Sequence, residues 1–437
     1  MTNMKVSVDQ NNISLRKELG VMGLSASIFN CTVGGGIFRL PGAIFLIAGI
    51  NAPFLYLICG VLMGFIGYCF GTVGRNILKT GGPYAYVAES FGPYAGFCTA
   101  VLGFLLGIFA MASVTDALLA FFPYSRTLLL ICLLALLLFL SLTSINRSAH
   151  TLAVISVLKL LPLLIFIIVG IMHIELKQIS LSPHLDFTTL SRGSMLLLFA
   201  FMGLESALIP SGEIRNPNKT IPLALAYSLI SIVVLYVLIQ ICAQSALGQA
   251  LSAGHEKPLL LAARVFMGKP GELLMLLGAS VSMFGFLVSM MISLSRLLYV
   301  LSQDRFLPKA LGILHETKSI PQISLYVLSI VLFALVSVGS FDTLAVLANL
   351  SAILLYLGCI LSALVQFSKT VTNKTYGQRF LFYSAAIAAL LTMLGMLTSI
   401  KPQEWIMVLF TLSVASIIYV LKTQVTDRRL KIRSNIK

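Results

Sequence analysis

The sequence predicts an all-α integral membrane protein with about twelve transmembrane helices. Of its 437 residues, 58% are hydrophobic and only 10% are charged, whereas about 25% are charged in an average soluble protein. Apolar runs of about 20 residues, the length that crosses a bilayer as a helix, recur along most of the chain. The basic residues lie in short segments between these runs, which argues against a nucleic-acid-binding protein and makes the lipid bilayer the expected environment.

Twelve apolar segments define the predicted spans. Their approximate limits are 20–48, 51–74, 94–119, 127–144, 151–173, 193–211, 221–247, 271–302, 322–339, 343–367, 380–398 and 404–421. The breaks between them carry turn residues, as in Gly81-Gly82-Pro83 and Lys401-Pro402. An even number of spans places both termini on the same side of the membrane.

The basic residues predict the orientation. With the N-terminus in the cytoplasm, the inner loops and tails hold 21 Lys and Arg residues, and the outer loops hold seven. This asymmetry follows the positive-inside rule. We therefore expect both termini in the cytoplasm and a multi-pass protein of the plasma membrane, which is the inner membrane in a bacterium. We interpret the formal charge of +15 as the result of this excess of basic residues on the cytoplasmic side, where they also attract anionic lipids.

The sequence predicts neither a cofactor nor a metal site. All seven cysteines lie in apolar segments without a CxxC pair, and we expect them to be small core residues. The five histidines lie in loops or at the edges of spans, and none forms an HxxxH or HExxH pair. These patterns argue against a membrane-embedded enzyme.

Three consecutive glycines, Gly34, Gly35 and Gly36, interrupt the first span near its middle. Each costs a helix about 1 kcal/mol relative to alanine, so a regular helix is poorly supported there. Unwound backbone at this depth must face a cavity or be buried in protein, and N–H groups at a helix N-terminus can hold a carboxylate. The alternative is that the glycines allow close packing of helices.

The sixth span combines aromatic residues, a glycine and a carboxylate in the segment 199–206. A carboxylate at this depth, here Glu205, is costly and normally faces the interior of the helix bundle. The first and sixth spans each open a block of five spans, which is the spacing of an inverted five-plus-five repeat. In such repeats the paired, broken helices of transport proteins form the binding site.

Four longer motifs follow one another along the chain. They are GGGIF (34–38), GGPYAYVAESFGPYAGF (81–97), FAFMGLES (199–206) with GEIRNPNKTIP (212–222), and SRLLYVLSQDRFLP (295–308). Together they resemble the amino acid–polyamine–organocation (APC) transporter superfamily, in particular its basic amino acid/polyamine antiporter branch, over nearly the whole chain. The resemblance implies a LeuT-type fold. It consists of a cytoplasmic tail (1–19), a five-helix repeat (20–173), a second, inverted repeat (193–367), two appended helices (380–421) and a basic cytoplasmic tail (422–437).

The resemblance also implies a substrate site at the two broken helices. The N–H groups of the three glycines are expected to bind a substrate carboxylate, and Phe199 is expected to cover the substrate as a gate. Core packing is the alternative for Phe199. The expected substrate-binding residues are Thr32, Gly34, Gly35, Gly36, Ile37, Phe199, Ala200, Phe201, Gly203, Gly107, Met111 and Met290.

Three charged residues are expected to act in coupling or gating. Glu205 is expected to relay a proton or to tie the unwound helices together, ahead of direct contact with the substrate amine. Lys159 matches a lysine that takes the place of a sodium ion in some relatives, and a buried ammonium gives up its proton readily. The alternative is that Lys159 snorkels to the cytoplasmic interface. Arg39 is expected to guard the outer vestibule or to attract anions, with packing against lipid headgroups as its alternative.

The predicted pocket departs from that of arginine–agmatine antiporters. Met111 and Met290 stand where those relatives carry a polar and an aromatic side chain, and Phe199 replaces a larger aromatic. A guanidinium favours stacked aromatic rings and polar partners, whereas methionine suits an apolar side chain.

We therefore predict a secondary active amino acid permease or antiporter that works by alternating access on a neutral amino acid. Coupling to protons or exchange is the expected mechanism. A cationic amino acid/polyamine antiporter and a membrane-embedded nutrient sensor without net transport are the alternatives. A homodimer is a candidate assembly.

Overall fold

The computed structural model describes residues 20–77, 81–142, 145–174, 185–209, 214–253, 257–315, 320–371 and 374–434, with side chains outside 145–157, 206–207 and 421–434. The predicted N-terminal tail, 1–19, lies outside these residues. All regular elements of the described part are helices. They are α1 (Val21–Thr32), α2 (Gly36–Ala48), α3 (Ala52–Asn76), α4 (Pro83–Phe91), α5 (Pro93–Leu119), α6 (Arg126–Ser141), α7 (Ile145–Ile171), α8 (Phe187–Phe201), α9 (Leu204–Ala207), α10 (Pro217–Leu247), α11 (Pro258–Gln303), α12 (Gln322–Val338), α13 (Phe341–Thr370), α14 (Tyr376–Leu397) and α15 (Pro402–Ser434).

Seven helical segments of the described chain are long and apolar enough to cross a membrane. They are Gly36–Asn76, Pro93–Leu119, Pro217–Ser252, Pro258–Gln303, Phe341–Thr370, Tyr376–Leu397 and Pro402–Val420. Five shorter apolar helices accompany them, namely Val21–Thr32, Arg126–Ser141, Leu158–Ile171, Phe187–Phe201 and Gln322–Val338. The protein is therefore a multi-pass membrane protein whose regular elements are helices throughout the described residues, and the count of twelve spans stays a prediction.

The first predicted span is broken at the glycines. Helix α1 ends at Thr32 and α2 begins at Gly36, and the intervening Val33 has φ −78° and ψ 85°, outside the helical region. The helix N-terminus at Gly36 leaves the first N–H groups of α2 without partners inside the helix. The cost of three successive glycines explains why the helix unwinds at this position.

The sixth predicted span is broken as well. Helix α8 ends at Phe201 and α9 begins at Leu204, with Met202 extended and Gly203 at φ +121°. A Cβ atom at Gly203 would lie 2.6 Å from the carbonyl carbon of Cys31, at the end of α1. Glycine is required here both by the positive φ and by this close approach of the two breaks.

Several long helices pack against the broken helices and against one another. Helix α10 packs against α1 and α3, while α5 packs against α11 and α13. Helix α11 is kinked at Gly268, which has φ +64°, just before Pro270. The expectation of core positions for the cysteines is wrong for Cys132, which is exposed on α6, and Cys98 is half-buried. An apolar side chain on an outer helix face is stable there because it can contact lipid.

Candidate functional site

A small cavity lies where the two broken helices meet. Its empty volume of about 300 Å³ includes space that is open to solvent. It is lined by Thr32, Gly34, Gly35, Gly36, Leu106, Ala110, Val114, Phe199, Met202, Phe286 and Met290. None of these lining residues carries a charge. Thr32 supplies the one polar side-chain group of this lining, a buried hydroxyl that has no hydrogen-bond partner among the residues that the structure describes. We call this space the central cavity.

Half of the twelve predicted substrate-binding residues line the central cavity. They are Thr32, Gly34, Gly35, Gly36, Phe199 and Met290. The other six are buried nearby but lie outside the set of lining residues: Ile37, Ala200, Phe201, Gly203, Gly107 and Met111. Gly107 has a packing role, because a Cβ atom there would lie 2.6 Å from Leu294 Cδ2.

Five lining residues were not predicted from the sequence. Leu106, Ala110 and Val114 follow one another at intervals of four on α5, which places them on one helix face. Phe286 lies four residues before Met290 on α11 and lines the same wall. Met202 is the fifth, inside the second break. The four-residue spacing of Leu106, Ala110 and Val114 could have identified this helix face from the sequence. Counting from the FGPY motif led instead to Met111, which is adjacent to Ala110 in sequence.

The glycines serve close packing as well as unwinding. A Cβ atom at Gly36 would lie 3.1 Å from Ala200 Cα, and one at Gly34 would lie 3.2 Å from Phe286 Cδ2. At Gly35, a Cβ atom would lie 3.3 Å from Val114 Cγ2. The glycines therefore end the helix and also allow α8, α11 and α5 to approach the unwound backbone, while the binding of a substrate carboxylate stays a prediction.

Glu205 lies at the second break with only 3% of its surface exposed. Its two carboxylate oxygens accept hydrogen bonds from the Gly203 N–H at 3.0 and 3.1 Å, and Oε2 accepts a third from the Tyr356 hydroxyl at 2.6 Å. The carboxylate therefore ties the unwound turn before α9 to α13. It does not line the central cavity, so this geometry favours a structural or coupling role.

Lys159 extends from α7 to the first break and is fully buried. Its Nζ donates hydrogen bonds to the carbonyl oxygens of Asn30 at 2.9 Å and Val33 at 2.8 Å. The Ser282 hydroxyl donates to the same Val33 oxygen at 3.1 Å. Carbonyls at a helix C-terminus carry partial negative charge and favour a cation. The alternative of snorkelling is wrong, because the ammonium points to the unwound backbone and not to the interface.

Tyr236 on α10 joins the two breaks, a role that the sequence did not reveal. Its hydroxyl lies 2.9 Å from the Ala200 carbonyl oxygen on α8 and 3.3 Å from the Thr32 carbonyl oxygen on α1. The ring also packs edge-on against Phe201, with centroids 5.4 Å apart. This one side chain therefore fixes the separation between the helix ends that border the central cavity.

A Tyr236→Phe variant is expected to lower the free energy of unfolding by about 1–2 kcal/mol, since a neutral hydrogen bond contributes about 1 kcal/mol. Thermal unfolding in detergent measures this change. Tyr227→Phe is the matched control, because Tyr227 lies on the same helix and is 56% exposed. Equal stability of the two variants would contradict the bridging role.

Arg39 stacks on an aromatic ring at the edge of the cavity. Its guanidinium carbon lies 4.2 Å from the centroid of Phe341, and Phe199 meets the same ring edge-on at 5.5 Å. The Phe341 N–H donates to Asp116 Oδ2 at 2.9 Å, and Asp116 Oδ1 pairs with Arg126 at 2.6 Å. These contacts hold Phe341, the first residue of α13, against Phe199, which lines the central cavity. The predicted gating roles of Phe199 and Arg39 stay predictions.

Two broken helices that meet at a cavity inside a helical membrane protein are typical of membrane transporters. The chain belongs to the amino acid permease family, whose model matches residues 19–425. It is therefore an amino acid transporter of the APC superfamily and not an enzyme.

Three relatives show the range of this family. The chain is 28% identical to an arginine/agmatine antiporter of Chlamydia felis over 391 residues, covering 82% of this chain and 80% of the relative. It is 26% identical to the serine/threonine exchanger SteT of Bacillus subtilis, covering 69% and 72%. It is 24% identical to the human cystine/glutamate transporter, covering 77% and 71%. These relatives exchange or transport amino acids of different charge, so the cavity itself must indicate the substrate.

Proposed function

We propose that this transporter binds a neutral amino acid in the central cavity and carries it across the membrane by alternating access. The observation that carries this proposal is a cavity wall without a charged side chain. At its edge, the N–H groups at the start of α2 offer a place for the substrate carboxylate. The carbonyl ends of α1 and α8 offer a place for the ammonium group. Leu106, Phe286 and Met290 would surround the substrate side chain.

A cationic substrate is the second candidate, because several relatives are named arginine/agmatine antiporters. A guanidinium in a membrane interior needs hydrogen-bond acceptors or stacked rings. The central cavity offers two aromatic side chains, Phe199 and Phe286, but no carboxylate. A neutral side chain avoids the cost of an unpaired buried charge, which is why we place it first.

When a panel of radiolabelled amino acids is offered to proteoliposomes that contain the protein, we expect uptake of leucine and methionine. Arginine should compete weakly, because burying its charge without a counter-ion costs several kcal/mol. Transport of arginine alone would overturn the neutral assignment. Binding of leucine without flux would favour a nutrient sensor.

The same assay tests the position of the site with Ala110→Leu. The larger side chain should occupy part of the central cavity and raise the KM for leucine at least about tenfold, since overpacking costs about 1–3 kcal/mol. The KM for a smaller substrate such as alanine should rise less. Met111→Leu is the matched control on the neighbouring residue, because it conserves volume outside the lining. A larger effect at Met111 than at Ala110 would contradict this site.

We further propose that the chain crosses the membrane twelve times, with residues 20–173 and 193–367 as inverted repeats. The breaks between α1 and α2 and between α8 and α9, each at the start of its block, support this arrangement, and α14 and α15 supply the appended pair at 380–421. The distribution of basic residues supports cytoplasmic termini, with the tail 422–437, and we propose a bacterial inner membrane as the location. The homodimer stays a prediction.

Protons are the coupling ion that we propose, with Lys159 as the group that responds to them. The burial of its ammonium against the carbonyls of Asn30 and Val33 supports this role. A change in its charge would alter its attraction to the end of α1, and therefore the conformation of the first break.

A further inference from the structure

The hydroxyl of Thr32 is a polar group in the lining of the central cavity that the contacts described so far do not use. Thr32 is the last residue of α1, and only 4% of its surface is exposed. Its Oγ1 atom has no hydrogen-bond partner among the described residues. A buried hydroxyl that stays unsatisfied costs free energy. Such a group in a cavity lining therefore indicates a ligand that supplies the missing partner.

Other helical threonines of the described chain satisfy their hydroxyls within their own helix. Thr72, Thr99 and Thr392 each donate to the carbonyl oxygen four residues earlier, at 2.9, 2.9 and 2.7 Å, which is a common arrangement for threonine in a helix. The Ile28 carbonyl oxygen stands at this spacing from Thr32 but receives no hydrogen bond from its hydroxyl. The Thr32 hydroxyl is therefore open to a molecule in the central cavity.

The last main-chain acceptors of the first break are already engaged. The Thr32 carbonyl oxygen accepts hydrogen bonds from the Gly34 N–H at 2.9 Å and from the Tyr236 hydroxyl at 3.3 Å. The Val33 carbonyl oxygen accepts from Lys159 Nζ at 2.8 Å and from a serine hydroxyl at 3.1 Å. A carbonyl oxygen has two lone pairs, so both oxygens are fully used. The end of α1 still favours a cation through its partial negative charge, and Thr32 can offer that cation its hydroxyl.

We propose that the Thr32 hydroxyl accepts a hydrogen bond from the α-ammonium group of the substrate and makes this group a requirement for binding. The inference rests on the proposed function, in which an amino acid lies in the central cavity with its carboxylate at the start of α2. The ammonium and carboxylate groups of an amino acid are bonded to one carbon atom. Both must therefore be recognised by neighbouring parts of the first break, and Thr32 stands at its other end. A carboxylic acid without the ammonium group leaves the hydroxyl unsatisfied and is rejected.

Four substitutions separate the hydroxyl from the shape of the side chain. Thr32→Val is the diagnostic variant, because valine has nearly the shape of threonine but no hydroxyl, and Thr32→Ser is the rescue variant, because it keeps one. Thr115→Val is the matched control. Thr115 is fully buried on α5, its hydroxyl also has no partner among the described residues, and it lies outside the lining of the central cavity. Thr32→Ala replaces Thr32→Val if thermal unfolding shows that the valine variant does not fold.

The test is calorimetric binding of leucine and of 4-methylpentanoate, which is leucine without its ammonium group, to the purified full-length protein in detergent. We expect Thr32→Val to bind leucine at least about tenfold more weakly than the wild type, a loss of about 1.4 kcal/mol, because its apolar group offers the ammonium no acceptor. The affinity for 4-methylpentanoate, which is weaker from the start, should not fall. Thr32→Ser and Thr115→Val should bind leucine as the wild type does.

Unchanged leucine binding in Thr32→Val would overturn this inference, and so would an equal loss in Thr115→Val or an equal loss for 4-methylpentanoate. Failure of the neutral assignment has a different result, namely that arginine binds and leucine does not. Because every amino acid carries the α-ammonium group, Thr32→Val should then weaken arginine binding and spare 5-guanidinopentanoate, which is arginine without that group. Absence of binding of both amino acids to the wild type would overturn the proposed function and this inference with it.

Discussion

A Lys159→Ala variant is expected to lose nearly all amino acid uptake, by a factor of at least about 100. The ammonium donates to the carbonyl oxygens of Asn30 and Val33 within the first break, and each hydrogen bond from a charged group contributes about 1.5–3 kcal/mol. Without them the end of α1 loses the contact that holds the unwound segment against α7. Initial rates of leucine uptake into proteoliposomes, with and without an inward proton gradient, measure the effect.

The control for this variant is Lys401→Ala, because Lys401 is an exposed lysine outside the described helices. Thermal unfolding of both proteins separates lost transport from lost folding. The lost hydrogen bonds and the space left by the shorter side chain are expected to lower the free energy of unfolding as well, so uptake is compared at a temperature at which both variants are folded. Uptake that stays at the wild-type level, with unchanged proton dependence, would remove Lys159 from the coupling mechanism.

Glu205→Ala is the second substitution for which we expect a near-complete loss of uptake. It leaves the Gly203 N–H and the Tyr356 hydroxyl without their acceptor in a buried site, and each unsatisfied donor costs about 1–3 kcal/mol. The turn between α8 and α9 then loses its connection to α13. Uptake rates together with thermal unfolding in detergent measure both consequences.

Glu205→Gln separates the roles that the carboxylate could have. It keeps an acceptor oxygen in place but removes the charge, so a purely structural tie predicts partial retention of uptake. Equal loss in the Gln and Ala variants would instead show that the charge is required, for a proton relay or for a substrate amine. Tyr356→Phe completes a double-mutant cycle, and strong non-additivity with Glu205→Gln is expected because the two side chains are in contact.

Both helix breaks could be predicted because their causes are local. Successive glycines destabilise a helix wherever they occur, and the first helix ends just before them, at Thr32. The second break falls at Gly203, whose φ of +121° is rare for any other residue. The carboxylate of Glu205 stood out for a similar reason, since a charge inside an apolar run must have a partner.

The cavity walls could be predicted only in part. Counting along α5 led to Met111, although the cavity face contains Ala110, because one residue turns a helix by about 100°. Phe286 was missed since a phenylalanine on an apolar helix has no distinguishing local pattern. The role of Tyr236 depends on a hydroxyl that meets two carbonyl oxygens on other helices, and this contact is not encoded in any short motif.

The sequence by itself determined the membrane class, the positions of both helix breaks and the family, because hydropathy, helix propensity and motifs are properties of neighbouring residues. The tertiary structure alone decided what meets at the breaks. Lys159 contacts a carbonyl 126 residues away, and Glu205 contacts a hydroxyl 151 residues away. Such contacts depend on how helices pack and turn, and a slight rotation would replace one buried neighbour with another of similar hydropathy.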